Sequence, residues 1–130
     1  MGVPSDLKYT ESHEWHRVES GADGDVVTLG ITAFAADQLT DVTFAEMKPA
    51  GTAISAGDVV GEVESVKTTS DIYCAVGGEI VEVNGDLDAN PGLINEDPFD
   101  KGWLIKVRVS DASGLDGLMD ASAYEAHAGG

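Results

Sequence analysis

Basic residues are scarce in this sequence. Its 130 residues include 7 lysines and arginines against 24 aspartates and glutamates, so the formal net charge is −17. A surface with this charge repels nucleic-acid phosphates and anionic membranes, and we expect neither as a partner. The acidity favours protein partners with basic faces. It also suits a chain whose charge only keeps it dissolved at high concentration.

Cysteine and long apolar runs are also lacking. The one cysteine, Cys74, cannot form a disulfide within the chain, which favours a reducing compartment. No apolar run is long enough to span a bilayer. The first residues, "MGVPSDLKYTESHEW", show neither a secretory signal nor an arginine-rich transit pattern. We expect a cytoplasmic protein with a single domain over residues 1–130.

Residues for catalysis or metal binding are few. A thiol–imidazole pair of Cys74 with His13 or His16 is conceivable, but a lone cysteine in an apolar strand is more often a small buried residue. The two histidines are three apart in a predicted strand, so they should face opposite ways. The acidic turns lack calcium-loop spacing, and no zinc or phosphate-loop motif occurs. We predict a chain that is not an enzyme and holds no metal.

What the sequence does contain is mostly strand. Short Gly-, Pro-, Asn- and Asp-containing segments separate runs that are rich in Val, Ile, Thr and Tyr. In one run Val27, Leu29 and Ile31 share a face, and in the last run Trp103 and alternate residues after it do so. The pattern predicts a small antiparallel sandwich or partly closed barrel. The runs are "EWHRVE", "DVVTLGIT", "DVTFAEM", "GDVVGEVESV", "SDIYCAV", "GEIVEVN" and "WLIKVRVS".

Two helices and one repeat complete the outline. "ITAFAADQLTD" predicts a helix that Thr32 caps, and residues 115–127 carry apolar side chains at helical spacing before terminal glycines. We expect this C-terminal helix to pack on the sheet. "GDVV" occurs at 24–27 and again at 57–60, which suggests two similar halves.

One lysine stands out in the acidic middle of the chain. Lys67 is the only basic residue from Pro49 to Asp100. Val59, Gly61, Val63 and Ser65 should share one strand face before it, "TTSD" after it favours a turn, and extended structure should resume at Ile72. Lys67 is therefore predicted at or beside an exposed hairpin tip. A solvated turn lysine fits this position, and so does the rigid base of a prosthetic arm.

The segments around Lys67 resemble the glycine cleavage system H protein family. The resemblance covers roughly residues 7–127 and implies a mainly β barrel-sandwich hybrid of two similar β layers, with short helices and a C-terminal helix. It also implies that Lys67 is amide-linked to lipoic acid. The matching segments, in order, are "LKYTESHEW", "LGIT" with "QLTDVTF", "GEVESVKTTSDIY" with "GGEIVEVN", "PGLINEDPF" with "GWLIKV", and "LMDASAYEAH".

The resemblance implies a non-catalytic, monomeric carrier. Lipoyl-Lys67 would accept the aminomethyl group from glycine at the P protein, a pyridoxal-phosphate decarboxylase. It would present that group to the T protein, an aminomethyltransferase, for transfer to tetrahydrofolate. The L protein, dihydrolipoyl dehydrogenase, would then reoxidise it, and a lipoate-attaching enzyme would have modified the lysine beforehand.

The resemblance also implicates a cleft in which the loaded arm docks. Ser12, Glu14 and Asp71 would line it, since a carboxylate suits a cationic aminomethyl nitrogen. Glu14 equally fits an exposed strand position, and the other two fit turn or cap roles. The chain departs from the family with Cys74 where serine is usual, and with Thr40 where glycine is common.

Three related readings stay open to different degrees. A lipoyl domain serving a 2-oxoacid dehydrogenase shares the hairpin lysine, but usually carries Asp-Lys-Ala at its tip. A biotinyl domain would have methionines where Val66 and Thr68 stand. A relay that passes lipoyl groups to other acceptors remains an alternative or second role.

Overall fold

The computed structural model describes residues 4–21 and 24–129, which form nine strands, four α-helices and one 3₁₀ helix. The strands are β1 (Lys8–Tyr9), β2 (Glu14–Gly21), β3 (Gly24–Ile31), β4 (Val42–Met47), β5 (Ala53–Ile54), β6 (Val59–Ser65), β7 (Thr69–Tyr73), β8 (Gly77–Val83) and β9 (Ile105–Asp111). The helices are α1 (Ala33–Leu39), α2 (Asp86–Ala89), α3 (Leu93–Glu96) and α4 (Ala121–Gly129), with the 3₁₀ helix at Ser113–Gly117.

Two antiparallel sheets form the body. The larger has the strand order β1-β2-β3-β9-β8-β5, and the smaller has the order β4-β6-β7. Apolar side chains from both sheets meet in one core, because each sheet must bury its apolar face against another layer. The predicted mainly β architecture of two layers with short helices is confirmed. No helix in the described part of the chain is long and apolar enough to cross a membrane.

The repeated "GDVV" lies at the start of a strand in each of the two layers. Gly24 (φ 115°) is the first residue of β3 in the larger sheet, and Gly57 (φ 89°) lies two residues before β6 in the smaller one. Glycine adopts these positive φ angles without the steric cost that a side chain would bring. The last valine of each repeat, Val27 or Val60, is fully buried. The internal echo therefore reflects a shared local geometry.

The predicted faces of β6 were wrong in one respect. Val60 and Val63 are both buried, although their odd spacing would place them on opposite faces of a regular strand. The register of β6 against β7 shifts between Val59 and Gly61, as at a β-bulge. An extra residue at such a point reverses the alternation of the following side chains. Extended structure also resumes at Thr69, earlier than the predicted Ile72, because the connection is shorter than "TTSD" suggested.

The helix predictions were correct for α1 and need correction for the C-terminal helix. The Thr32 side chain caps α1 by accepting a hydrogen bond from the Ala35 amide at 3.3 Å. The segment predicted as a helix over 115–127 contains the end of the 3₁₀ helix, a break and then α4 from Ala121. The break places Met119 beside Tyr9, with which it exchanges two backbone hydrogen bonds. This pairing competes with continuous helix.

A second apolar cluster lies beneath α4. Leu7, Tyr9, Trp15 and Tyr124 are all buried there. The rings of Tyr9 and Tyr124 stack with their centroids 4.7 Å apart. The C-terminal helix therefore covers the N-terminal segment of the larger sheet. Trp103, predicted to start the last strand's apolar face, lies before β9 and packs on this second cluster.

Candidate functional site

The connection from β6 to β7 forms a short hairpin tip at residues 65–68. The Ser65 hydroxyl accepts hydrogen bonds from the amides of Lys67 and Thr68, each at 3.1 Å. The Thr68 carbonyl in turn accepts a hydrogen bond from the Ser65 amide at 2.8 Å. One serine side chain thus holds the backbone of the tip, and the order of the tip comes from residues adjacent in sequence.

Lys67 lies at this tip with its side chain exposed, as the sequence predicted. Its neighbour Val66 is 70% exposed. Within residues 4–21 and 24–129, Lys67 enters no ion pair. A free, accessible amine on an ordered turn is what amide attachment of a prosthetic group requires. The role of Lys67 as the attachment residue stays a prediction.

Glu14, at the start of β2, is only 1% exposed. One carboxylate oxygen accepts hydrogen bonds from the hydroxyls of Thr10 and Ser12, each at 2.5 Å, and the other accepts one from the Tyr73 amide at 3.3 Å. Burial raises the pKa of Glu14, and these hydrogen bonds oppose that rise by favouring the charged form. Glu14 is therefore a buried, oriented carboxylate and not an exposed strand residue.

Glu14 opens onto a pocket of about 220 Å³, which we call the Glu14 pocket. Its walls come from the turn at residues 10–13, which we call the N-terminal turn, from Ile31 with α1, and from β7. Apolar walls around one carboxylate suit a ligand with an apolar stem and a cationic end. The lining residues are Ser12, His13, Glu14, Ile31, Phe34, Ala35, Gln38, Leu39, Ser70 and Ile72.

The pocket lies along the strand that leaves the hairpin tip. Ser70 and Ile72 line it, three and five residues after Lys67 in sequence. The strand β7 therefore connects the lysine to the pocket. A long, flexible group on Lys67 could fold back along β7 towards Glu14.

The structure does not bring Asp71 into this pocket with Ser12 and Glu14. Neighbouring residues of a strand face opposite sides, and Ser70 and Ile72 occupy the pocket side. Asp71 instead lines a separate groove of about 440 Å³ on the other face of β7. There it pairs in register with Glu62. The alternation of side chains along β7 was a signal in the sequence that could have shown this separation.

Sequence reasoning missed Thr10 and misplaced His13, two residues of the N-terminal turn. Thr10 bonds the Glu14 carboxylate, and its hydroxyl also accepts a hydrogen bond from the Glu14 amide at 2.9 Å. His13 was predicted within a strand, but it precedes β2 with a φ of 73°. Because of that positive φ, the alternation of side chains along β2 does not extend back to His13, and the predicted opposite orientation of His13 and His16 does not follow from it. A Thr four residues before a buried Glu was a weak signal for a side-chain-stabilised turn.

The remaining titratable candidates are buried in the core. His16 accepts a hydrogen bond from the Ala75 amide at 3.1 Å, and burial lowers its pKa to about 4. Burial raises the pKa of the Cys74 thiol to about 11, so the thiol stays protonated and unreactive at neutral pH. Across the described ranges, no group of three or more His, Cys, Asp or Glu side chains is placed to hold a metal ion.

Comparison with known proteins first defines the fold class. The crystal structure of a glycine cleavage system H protein from Mycobacterium marinum superposes with a TM-score of 0.87. The two sequences are 39% identical, and the match covers 98% of this chain and 99% of that one. The predicted barrel-sandwich architecture is confirmed by this likeness.

Sequence relatives then define the family. The family model described as glycine cleavage H-protein matches residues 7–129. The glycine cleavage system H protein of Chlorobium limicola is 48% identical over 124 residues, 95% of each chain. That of Symbiobacterium thermophilum is 49% identical over 124 residues, 95% of this chain and 94% of its own. The chain belongs to the glycine cleavage H-protein family.

Proposed function

We propose that this chain is the lipoyl carrier of a glycine cleavage system and that Lys67 bears the lipoyl group. The observation that carries the proposal is the placement of Lys67. It is exposed at a hairpin tip, and the strand that leaves the tip lines a pocket with a buried carboxylate. Family membership supports assigning this combination to a glycine cleavage system, since the region that the family model matches includes both Lys67 and Glu14.

The residues present fit a lipoyl group. The Lys67 amine is accessible for amide formation, and the apolar lining of the Glu14 pocket suits the hydrocarbon part of the group. When attached, the group supplies a disulfide that takes up electrons together with the aminomethyl unit from glycine at the P protein, yields that unit to tetrahydrofolate at the T protein, and is restored at the L protein.

The chain's own residues hold the group attached to Lys67 and shield it from water. The Glu14 carboxylate offers its negative charge to a cationic nitrogen, a pairing stronger than a neutral hydrogen bond. Thr10 and Ser12 fix the orientation of that carboxylate through their hydroxyls. The apolar side chains Phe34 and Ile72 limit the access of water to whatever enters the pocket. These roles are those of a carrier and not of an enzyme.

The docking role of Ser12 and Glu14 is part of this proposal, and it does not depend on Asp71. Because Asp71 lies on the other face of β7, it would meet an attached group only outside the pocket. We further propose a cytoplasmic monomer that meets the P, T and L proteins and a lipoate-attaching enzyme. The net charge of −17 suits basic faces on these partners.

Glycine–bicarbonate exchange tests the function. Lipoylated wild type, with loading confirmed by intact mass, is combined with a P protein and labelled bicarbonate. We expect exchange with wild type and none with Lys67→Arg. Lys48→Arg is the matched control, since Lys48 is also exposed and directly follows β4, a strand of the same sheet as β6 and β7. It should support exchange as wild type does.

The exchange experiment also separates the alternatives. If wild type is lipoylated at Lys67 and yet supports no exchange, the glycine cleavage role is wrong. The lipoyl assignment then survives, and the chain would serve as a lipoyl relay or as a free-standing lipoyl domain for a 2-oxoacid dehydrogenase. Exchange that persists in Lys67→Arg would overturn the attachment residue itself.

A further inference from the structure

Tyr124 joins two walls of the Glu14 pocket from behind. It lies on α4 and is 1% exposed. Its hydroxyl is 2.8 Å from Nδ1 of His13 and 2.6 Å from the hydroxyl of Thr32. His13 belongs to the N-terminal turn, and Thr32 is the N-cap of α1. One phenol oxygen on the C-terminal helix therefore connects the side chains of these two segments, whose backbones are also bonded directly, with the Thr32 amide donating to the His13 carbonyl at 2.9 Å.

The two segments depend on this connection in different ways. His13 holds a φ of 73°, which for a residue other than glycine carries a strain that its surroundings must sustain. Its ring also packs on Phe34 of α1, with centroids 4.6 Å apart. Thr32 positions the first turn of α1 through the Ala35 amide. A shift of either residue would change the distance between the pocket walls.

Contacts other than the Tyr124 hydroxyl also hold α4 in place. The Tyr124 ring stacks on Tyr9, and Met119 just before the helix pairs with Tyr9 through its backbone. Nε2 of His127 is 3.1 Å from the Glu11 carbonyl. A phenylalanine would keep the ring packing. The buried phenol oxygen, which costs free energy unless it is hydrogen-bonded, contributes its contacts to His13 and Thr32.

We propose that Tyr124 is a positioning residue that sets the geometry of the Glu14 pocket and thereby determines how long a group carried on Lys67 stays protected there. The inference rests on the proposed function for its consequence, but its structural part concerns this chain alone. Without the hydroxyl, His13 Nδ1 and the Thr32 hydroxyl lose their shared partner. The N-terminal turn and α1 are then left with the backbone bond from Thr32 to His13 and the ring contact between His13 and Phe34, and we expect their side chains to move more independently.

The first test uses the unlipoylated protein and compares Tyr124→Phe with Tyr9→Phe. The control removes a phenol hydroxyl from the same stacked pair, but one that donates to the Pro4 carbonyl instead of facing the pocket. We expect amide hydrogen exchange in residues 12–14 and 33–39 to accelerate at least about fivefold in Tyr124→Phe, a factor typical of losing one hydrogen bond. In Tyr9→Phe these amides should match wild type.

The second test measures protection of the carried group. Hydrolysis converts the aminomethyl thioether and one water into the free thiol, formaldehyde and ammonium, so released formaldehyde reports the rate. We expect release several-fold faster from Tyr124→Phe than from wild type, with Tyr9→Phe unchanged. Intact mass should show equal lipoylation of all three proteins, because the hairpin tip is untouched.

A pair of variants at Thr32 keeps the inference testable should Tyr124→Phe fold poorly. Thr32→Ser retains the hydroxyl and should behave as wild type in both measurements. Thr32→Val removes it and should reproduce the faster exchange of residues 12–14. A Thr32→Val protein that leaves those amides unchanged would contradict the connection through Tyr124.

The outcomes separate this inference from the proposed function. If wild type never carries an aminomethyl group, the proposed function fails, and the exchange of the unlipoylated variants still decides whether Tyr124 positions the pocket. If wild type carries the group and Tyr124→Phe matches Tyr9→Phe in both measurements, the positioning role is wrong and the function stands. Equal losses of melting temperature without a local difference in exchange would likewise overturn it.

Discussion

The hairpin tip at residues 65–68 leads into β7, and β7 lines the Glu14 pocket, but the tip and the pocket are assembled in opposite ways. The tip is ordered by four consecutive residues, with Ser65 bonding the amides of Lys67 and Thr68. The pocket requires three segments that are far apart in sequence, and the Tyr73 amide reaches Glu14 across 59 positions. The lysine must stay accessible for modification, whereas a docked group must be shielded from water. Local structure suffices for the first demand, and only tertiary contact meets the second.

This contrast predicts different sensitivities to substitution. An exposed tip residue has few contacts to lose, so its substitution changes the free energy of unfolding little. A buried polar group bound by several partners transmits any change to all of them. Substitutions at Lys67, His16, Glu14 and Thr40 should show this difference, with effects that decrease in that order.

Lys67→Arg should have the largest functional effect and almost none on stability. We expect no lipoyl mass increment after incubation with a lipoate-attaching enzyme, while Lys48→Arg gains it fully. The free energy of unfolding of both variants should stay within about 0.5 kcal/mol of wild type, because both side chains are exposed. A substantial loss of stability in Lys67→Arg would mean that the tip is not the independent element that its hydrogen bonds indicate.

Acid should weaken the structure through His16, which anchors the segment after β7. Burial lowers the pKa of His16 from its ordinary 6.5 to about 4 in the folded chain, so the unfolded chain takes up a proton first as the pH falls. The stability due to neutral His16 is fully present above pH 6.5. It is lost progressively towards pH 4 and amounts to on the order of 3 kcal/mol.

The contribution of Glu14 to the pH dependence of stability has the opposite sign to that of His16 and offsets part of the loss in acid. Its pKa is raised from 4.5, so its ionisation in the folded state costs stability at neutral pH, and that cost is relieved as the pH falls through its folded pKa. Urea unfolding from pH 7 to pH 4 measures the sum. His16→Gln keeps an acceptor for the Ala75 amide without titrating. Its pH slope should be shallower than that of wild type, and an equal slope would exclude His16 as the source.

Glu14→Gln should reduce the protection that the Glu14 pocket gives to a carried group and should leave the hairpin tip unchanged. The carboxamide keeps the size of the side chain but removes the negative charge that faces a cationic group. We expect the carried aminomethyl group to be hydrolysed about tenfold faster, in line with the loss of a hydrogen bond to a charged group. Lipoylation should be unchanged. Release of formaldehyde at the wild-type rate would show that docking does not use this carboxylate.

Thr40→Gly should give the smallest effect, and a favourable one. Thr40 ends α1 with a φ of 63° and a ψ of −140°, a conformation that strains a β-branched residue. Glycine removes this strain, and the Asn95 amide can still donate to the carbonyl of residue 40. We expect the relief of strain to raise the free energy of unfolding by about 1 kcal/mol, measured by thermal unfolding. The greater backbone entropy of glycine in the unfolded chain offsets part of this gain. A destabilised variant would show that the threonine side chain matters more than its strain.

Much of the fold was accessible from patterns within short windows. Alternation identified Val27, Leu29 and Ile31 as buried residues of β3, although the opposite face at Thr28 and Gly30 is buried as well. The small helix formers after Thr32 identified α1 with its cap. The exposed tip at Lys67 followed from turn-forming residues between two strands. The β-bulge after Val59 was not accessible in this way, because the register depends on the partner strand. The break before α4 depends likewise on the pairing of Met119 with Tyr9.

The sequence by itself determined that the chain is acidic and mainly β, with Lys67 at an exposed turn, since these properties depend on residue types and on neighbours a few positions apart. Tertiary structure alone decided that Glu14 is buried and bonded, and that Tyr124 meets His13 across 111 positions and Thr32 across 92. The physical reason is that a carboxylate or phenol acquires its partners, its burial and its pKa only when distant segments pack together.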